Sequence, residues 1–436
     1  MTGDHPVSCA QKRLWILDRL HPDCPAYTVP LVYRISGRPD VRALEGALTE
    51  LVRRHEVLRT GYRTARGAVR QTVRPAEPVA VPLVDLTGHE DPAAEAERLG
   101  GGEALRPFDL SDGPVLRPLL LTTAPDRHTL FLTLHHIACD GWSLAVLENE
   151  LSTCYEALTT NRTPELPPLT EQYTDFARWQ TDRVAGNALN RSRDHWSKHL
   201  DGIPASAGLP SDHPRPAVWS FAGAHVPFTV GPEVVEQVAL LARACGTTPY
   251  AVLLATFAAL VREEGGGPEA VVGAPVALRE RESHFSLIGM FGNTIVHRLA
   301  VPDGTAFRDL VLRARDESRG ALAHQALPFE LLVEELNPAR DPGANPLFQL
   351  MFSYQPAAPP GLRLADCRVT RRFGDTRTAK VDLSLSLTRE GAGCTGRLEY
   401  STDLFEETTA RRLAARYLTL LTEFTSQPLR AIGSIL

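Results

Sequence analysis

Apolar residues recur along this chain with two periods, and the switches between them outline its elements. From 129 to 134, Leu130, Leu132 and Leu134 alternate with Thr129, Phe131 and Thr133, the period-two signature of a half-buried strand. Directly behind it, Leu144, Leu147, Leu151 and Leu158 recur at helical spacing, with Ser143 as the expected N-cap. Earlier, Ser8 is expected to cap a helix carrying Leu14, Trp15 and Leu17 that stops at Pro22 and Pro25. Val29, Leu31, Tyr33 and Ile35 then read as a strand. Asp40 opens a helix with Leu44, Ala47, Leu48, Leu51 and Val52 on one side, and its charged end, Arg53 to Thr60, reads as a solvated face. Residues 63 to 128 read as short strands and turns, poor in chemistry.

Past the Leu144 stripe, a proline-containing connection from Asn161 to Pro168 leads to a helical stretch opening at Tyr173. Pro, Gly and Ser cluster from Gly202 to Pro216, which marks an exposed loop and the expected crossing into a second lobe. Val235, Val238 and Leu241 form one helical stripe, stopped at Gly246. Leu253, Leu254, Phe257, Leu260 and Val261 form another, ended by Gly265-Gly266-Gly267. Strands are expected at 270–278, 294–301, 348–355 and 381–387, with helices at about 305–320, 328–336 and 406–425 between them. Helices and strands alternate in both halves. The pattern predicts an α/β protein of two sandwiched lobes, residues 1–180 and 181–436.

Composition narrows the function more than the fold. A chain of 436 residues is longer than one core usually serves, which favours two lobes and a cleft as the site; 43% hydrophobic and 22% charged residues are ordinary for a globular protein. The net charge of -6 and the absence of a Lys/Arg run argue against nucleic-acid and membrane partners. Seven cysteines, Cys9, Cys24, Cys139, Cys154, Cys245, Cys367 and Cys394, have no paired spacing and suit reduced thiols, hence a cytoplasmic location. There is no dinucleotide glycine fingerprint and no phosphate-binding loop sequence, so no bound nucleotide cofactor is expected.

Candidate chemistry sits where the Leu130 strand passes into the Leu144 helix, at His135, His136, Asp140 and Gly141. Neighbouring histidines on an extended chain face opposite ways, so parity groups His136 with the leucines and His135 with the threonines. One imidazole, one carboxylate and one bare backbone turn at Gly141 suffice for general-base work. Zinc is disfavoured, since no Cys-x-x-Cys or His-Glu-x-x-His supplies further ligands.

Taken with the rest of the chain, these residues match a longer pattern. Ser8-Cys9-Ala10-Gln11-Lys12-Arg13-Leu14-Trp15, Arg54-His55-Glu56-Val57-Leu58-Arg59-Thr60 and His135 to Ser143 are followed in order by Tyr173 to Trp179, Ile288 to Thr294, His324 to Glu330 and Arg340 to Leu347. Together they resemble the seven motifs of the condensation domains of non-ribosomal peptide synthetases. The resemblance runs from about residue 8 to the C-terminus. Ala326, Gly292, Cys139 and the Pro342-Gly343-Ala344 interruption depart from the usual residues without removing a catalytic group.

That resemblance implies two chloramphenicol-acetyltransferase-like lobes in a V with a tunnel between them. Through it a thioester donor on the phosphopantetheine arm of a partner carrier protein would meet an amine or alcohol acceptor, free or carrier-bound. It implies His136 as the group between donor and acceptor, backbone amide near Gly141 as oxyanion donor, His135 as a positioning residue, and Asp140 paired structurally with Arg279. Asn293, Ser143 and Trp142 are taken as cleft residues, with no metal. The chain starts seven residues before the first motif and carries no adenylation region or carrier serine motif, so a free-standing condensation enzyme is expected, with an excised N-terminal domain as the alternative. The Ala26 to Pro30 and Ile137 to Trp142 stretches lean towards members taking a D-configured donor, and the sixth motif leans the other way. The competing readings are a non-catalytic relative that recruits partners and a coenzyme A-dependent acyltransferase. The second usually carries an Asp-Phe-Gly-Trp-Gly stretch, which is absent here. Trp142 before Ser143 argues against an epimerase, and His135 against a heterocyclase.

Overall fold

The structure is a computed structural model, described here over residues 4–203, 208–338, 341–358 and 360–433. It divides into two compact units that are not two halves of the sequence. Unit one comprises residues 1–188, 277–292 and 359–376; unit two comprises 189–276, 293–358 and 377–436. A single cut near 180 therefore misses two later excursions that belong with the first unit. Of the expected crossing loop, residues 204–207 lie outside the described residues, as does Arg340 of the seventh motif.

In unit one, five strands run in the order Arg368–Phe373, Thr28–Ser36, Arg127–His135, Leu116–Ala124 and Leu83–Asp85. The strand Arg127–His135 is central, with Thr28 opposite His135 on one side and Leu116 opposite Leu134 on the other. One face of the sheet is covered by the helices Val41–Arg54 and Gly141–Thr159, whose Leu44, Leu48, Leu147 and Leu151 share a core with Leu31, Leu130 and Leu132. The helix Pro92–Leu105 covers the other face, where Ala96 meets Val32, Leu121 and Phe131. Both faces being buried, Leu130 to His135 is buried at every position. The alternation that read as half-buried was apolar-versus-threonine, not in-versus-out.

The helix Pro92–Leu105 is absent from the sequence reading, because Gly100-Gly101-Gly102 and low amphipathicity mask it. Gly100 is there for contact: a methyl added to it would lie 2.0 Å from Phe131 Cζ, whereas one on Gly101 or Gly102 meets nothing within 4 Å. Chemical denaturation should resolve the two cases. Gly101→Ala is expected to stabilise by up to about 1 kcal/mol, the ordinary helix preference for alanine. Gly100→Ala is expected to destabilise by about 1–3 kcal/mol, the usual cost of overpacking.

Unit two holds six strands in the order Gly292–Ala300, Glu269–Ala277, Leu350–Gln355, Leu383–Glu390, Gly393–Ser401 and Gly223–Val230. The middle pair is parallel, Leu350 facing Leu383. Its helix Pro249–Glu263 is buried from Ala251 to Val261, as an all-apolar helix must be. It packs with Phe307, Phe352, Leu385 and Tyr417 into a core of its own. The strands Gly223–Val230 and Gly393–Ser401 and the helix Asn190–His199 were not legible beforehand, being short, polar or broken by proline. No single helix among the described residues is long and apolar enough to cross a membrane.

Candidate active site

The central strand of unit one ends at His135, and His136–Ala138 turns as a 3-10 segment before the helix Gly141–Thr159 begins. Parity along an extended chain therefore stops one residue short of His136. Within Leu130 to Asp140, His136 is the residue that is not fully buried. His135 is buried and turned into its own loop: Nδ1 accepts from the Ile137 amide at 3.1 Å, and the ring meets Phe108 edge-on at 5.6 Å.

The helix is capped by Asp140, not by Ser143. Asp140 Oδ1 accepts from the Ser143 amide at 2.8 Å, and the helix starts at Gly141. Ser143 lies inside the first turn and is fully buried, so it cannot face a substrate. Its Oγ sits 2.7 Å from both Asp140 Oδ1 and the Gly289 carbonyl, and accepts from the Gly289 amide at 3.0 Å and Arg279 at 2.9 Å. Gly141 makes no sharp turn; it is an ordinary first helical residue, and an added methyl meets nothing within 4 Å.

Asp140 is engaged on both oxygens. Oδ1 pairs with Arg279 at 3.0 Å and Oδ2 accepts from the Phe291 amide at 3.1 Å. Arg279 also donates to the carbonyls of His284 and Leu287, the latter at 2.9 Å, and lies 4.1 Å over the Phe291 ring. Burial lowers the Arg279 pKa from its ordinary value, and Asp140 opposes the shift. Trp142 is 46% exposed, its indole N–H donating to the Phe285 carbonyl at 3.0 Å and its ring edge-on to Phe285 at 5.4 Å.

Several motifs meet on one strap of backbone, Ile288 to Phe291. The third motif reaches it through Asp140 and Ser143. The fourth does so through Tyr173, whose hydroxyl donates to the Met290 carbonyl at 2.6 Å and lies 2.9 Å from Ser8 Oγ of the first motif. Burial pushes the Tyr173 phenol pKa well up, so it remains a donor. The second motif is not a solvated face, because His55 is fully buried between Glu150 Oε2, 2.7 Å from its Nε2, and the Ile288 amide, 3.4 Å from its Nδ1. Arg54 joins Glu150 at 3.1 Å. Glu150 and Glu148, the latter held by Arg371 at 2.8 and 2.9 Å and by the Tyr33 hydroxyl at 2.9 Å, stand on the buried side of the helix that starts at Gly141. Two buried glutamates amid a leucine stripe were the sequence signal that could have exposed this network.

Asn293 belongs to unit two and is spent there: Nδ2 donates to the Gln325 and Leu327 carbonyls at 2.7 and 2.8 Å, and Oδ1 accepts from the Phe329 amide at 2.9 Å. It latches the sixth-motif loop rather than facing a ligand. Among the described residues no group of three or more His, Cys, Asp or Glu has metal-holding geometry.

The central strand thus ends just before a partly exposed histidine, and the next helix is capped by a buried, arginine-paired aspartate in a chain that matches the condensation-domain family. The family matches over residues 1–436, and this chain belongs to it. Condensation domains of non-ribosomal peptide synthetases are acyl-transferring, amide-forming enzymes that act with carrier-protein domains on phosphopantetheine-bound substrates. Among curated relatives, the chain is 40% identical over 434 residues to one of the linear gramicidin synthase subunits of Brevibacillus parabrevis, covering 99% of this chain and 6% of that protein. It is 40% identical over 434 residues to phosphinothricin tripeptide synthetase PhsC of Streptomyces viridochromogenes, covering 98% of this chain and 40% of that one. The chain thus spans less than half the length of these relatives. Among solved structures, the X-domain from teicoplanin biosynthesis is 29% identical with a TM-score of 0.89, covering 99% of this chain and 97% of that one. The first condensation domain of the calcium-dependent antibiotic synthetase, in complex with a substrate analogue, is 23% identical with a TM-score of 0.84, covering 100% and 99%, and shares the fold.

Because a methyl added at Gly141 meets no atom within 4 Å beyond its chain neighbours and its own helix backbone, Gly141→Ala separates folding from ligand access. The melting midpoint is expected to hold or rise, since alanine is favoured over glycine by up to about 1 kcal/mol in a helix. The KM for donor or acceptor is expected to rise if that space is where substrate passes, and steady-state kinetics at unchanged stability reads it.

Proposed function

We propose that the protein joins a carrier-tethered (amino)acyl thioester to an amine or alcohol, forming an amide or ester, with His136 as the catalytic residue. The nucleophile attacks the thioester carbonyl carbon. His136 accepts its proton or orients it by a hydrogen bond, an imidazole being suited to either near neutral pH. The oxyanion that forms is met by the Gly141 and Trp142 amides, which have no acceptor within their own helix and stand at exposed residues. Collapse breaks the carbon–sulfur bond, and the proton given up by the nucleophile, carried by His136 or passed directly, ends on the departing sulfur as the thiol of the phosphopantetheine arm. Asp140 and Arg279 hold the loop and touch neither reactant. The partner is a peptidyl carrier protein, and seven cysteines with no disulfide among them fit a cytoplasmic setting.

What carries this reading is the partly exposed His136, set in an otherwise buried run and followed in the chain by the exposed start of the helix at Gly141. The test is to offer purified protein a panel of loaded carriers with amine and alcohol acceptors in parallel and to weigh the products. Coupled product from wild type and none from His136→Ala supports it. Equal product from both removes His136 from the chemistry.

A second reading, partner recruitment without turnover, is favoured by one observation: the similar X-domain is also known in complex with OxyB. Wild-type protein that binds a carrier or an oxygenase yet makes no product from any donor would select it.

A further inference from the structure

We propose that His55 is a positioning residue for this acyl transfer, acting through the Ile288–Phe291 strap. The inference rests on the proposed activity and names a group that touches no reactant. His55 is 1% exposed, and its two ring nitrogens face different parts of the same machinery. Nε2 lies 2.7 Å from Glu150, which stands ten residues along the helix from Asp140, roughly 15 Å at 1.5 Å per residue. Nδ1 lies 3.4 Å from the amide of Ile288 and can only accept from it, so the proton belongs on Nε2 and is donated to the carboxylate.

The strap then returns to the start of the same helix. Gly289 meets Ser143 through both its amide and its carbonyl, and the Phe291 amide reaches Asp140 Oδ2. Glu150, His55, the strap and the Asp140 cap therefore form a closed ring, anchored to one helix at two points. Within that ring, His55 is also fixed by its own backbone, which ends the helix Val41–Arg54 with its amide on the Leu51 carbonyl, so its Nδ1 contact to Ile288 is the link that sets where the strap sits. The strap fixes Asp140 and Ser143, and these begin the helix four residues after His136. Arg54 contacts both oxygens of Glu150, so the carboxylate keeps a cation when His55 is changed.

The two nitrogens can be tested separately. In His55→Asn the amide oxygen stands near Nδ1 and can still accept from Ile288; in His55→Gln the terminal amide stands near Nε2 and can still donate to Glu150. Expected for His55→Asn is kcat within about threefold of wild type with a lowered melting midpoint. His55→Gln should keep the melting midpoint closer to wild type yet lose about tenfold in kcat, with KM for the loaded carrier within about threefold, the scale of one hydrogen bond. Amide hydrogen exchange at Ile288 to Phe291 should quicken in the glutamine variant and not in the asparagine variant.

A purely structural histidine would make kcat follow stability in both variants, and that result overturns the proposal, as does unchanged exchange in His55→Gln. The exchange measurement uses no turnover. A wild-type protein that makes no product therefore overturns the acyl-transfer reading, while exchange still decides whether His55 holds the strap.

Discussion

His136→Ala is expected to lower turnover of a loaded donor by about 10²–10⁴-fold, the usual contribution of a positioned acid–base group. Stability should change by about 1 kcal/mol or less, because this side chain is the partly exposed member of an otherwise buried run. Circular dichroism and a melting curve establish the second point, and rapid-quench product analysis the first. His136→Gln divides the remaining question, because a glutamine can orient a nucleophile by a hydrogen bond but cannot take its proton. Turnover well above the alanine variant assigns orientation. Loss equal to alanine assigns proton acceptance. Turnover in His136→Ala at the wild-type rate would leave the histidine with no chemical part.

Asp140→Ala is expected to act in the opposite proportion, costing about 3–5 kcal/mol of stability because it strands the buried Arg279 guanidinium. Two backbone donors are orphaned with it: the Ser143 amide at the helix start and the Phe291 amide of the strap. Asp140→Asn keeps an oxygen for the cap and should cost less. Urea denaturation of Asp140→Asn, Arg279→Met and the double variant tests the pairing directly, since contacting residues do not add. The double variant should lose clearly less than the sum of the single losses. Simple additivity would mean that the 3.0 Å contact contributes nothing. Turnover per folded molecule should fall in each variant, the motif loop having lost its anchor.

Legibility in the sequence followed burial. Helices with one apolar stripe, such as Val41–Arg54 with its Asp40 cap, Cys9–Leu20 with Ser8, and Glu407–Ser426, stood close to where periodicity put them. Elements whose reasons lie elsewhere in the chain did not. Pro92–Leu105 exists because a glycine lets Phe131 approach, and no local pattern encodes that. The site shows the same division. His135, His136, Asp140 and Gly141 could be picked out by type and spacing, and Arg279 by resemblance. That Ser143 is buried, that Asn293 is spent on a loop of its own unit, and that His55 reaches Ile288 are facts about contacts across more than a hundred residues or against neighbouring loops. Hydrogen bonds of that span leave no period to read.

The return of residues 277–292 to the first unit has a consequence for synthesis and for engineering. A ribosome that has released only residues 1–188 has delivered every group of the histidine loop but not the arginine and strap amides that its aspartate requires. The loop can mature only after about a hundred further residues have emerged, so early folding of this segment should stall short of its final geometry. Chimeras joining two relatives at one junction near 188 would pair one parent's aspartate with the other parent's arginine and strap. Recombination that carries 277–292 along with the first segment keeps these partners matched.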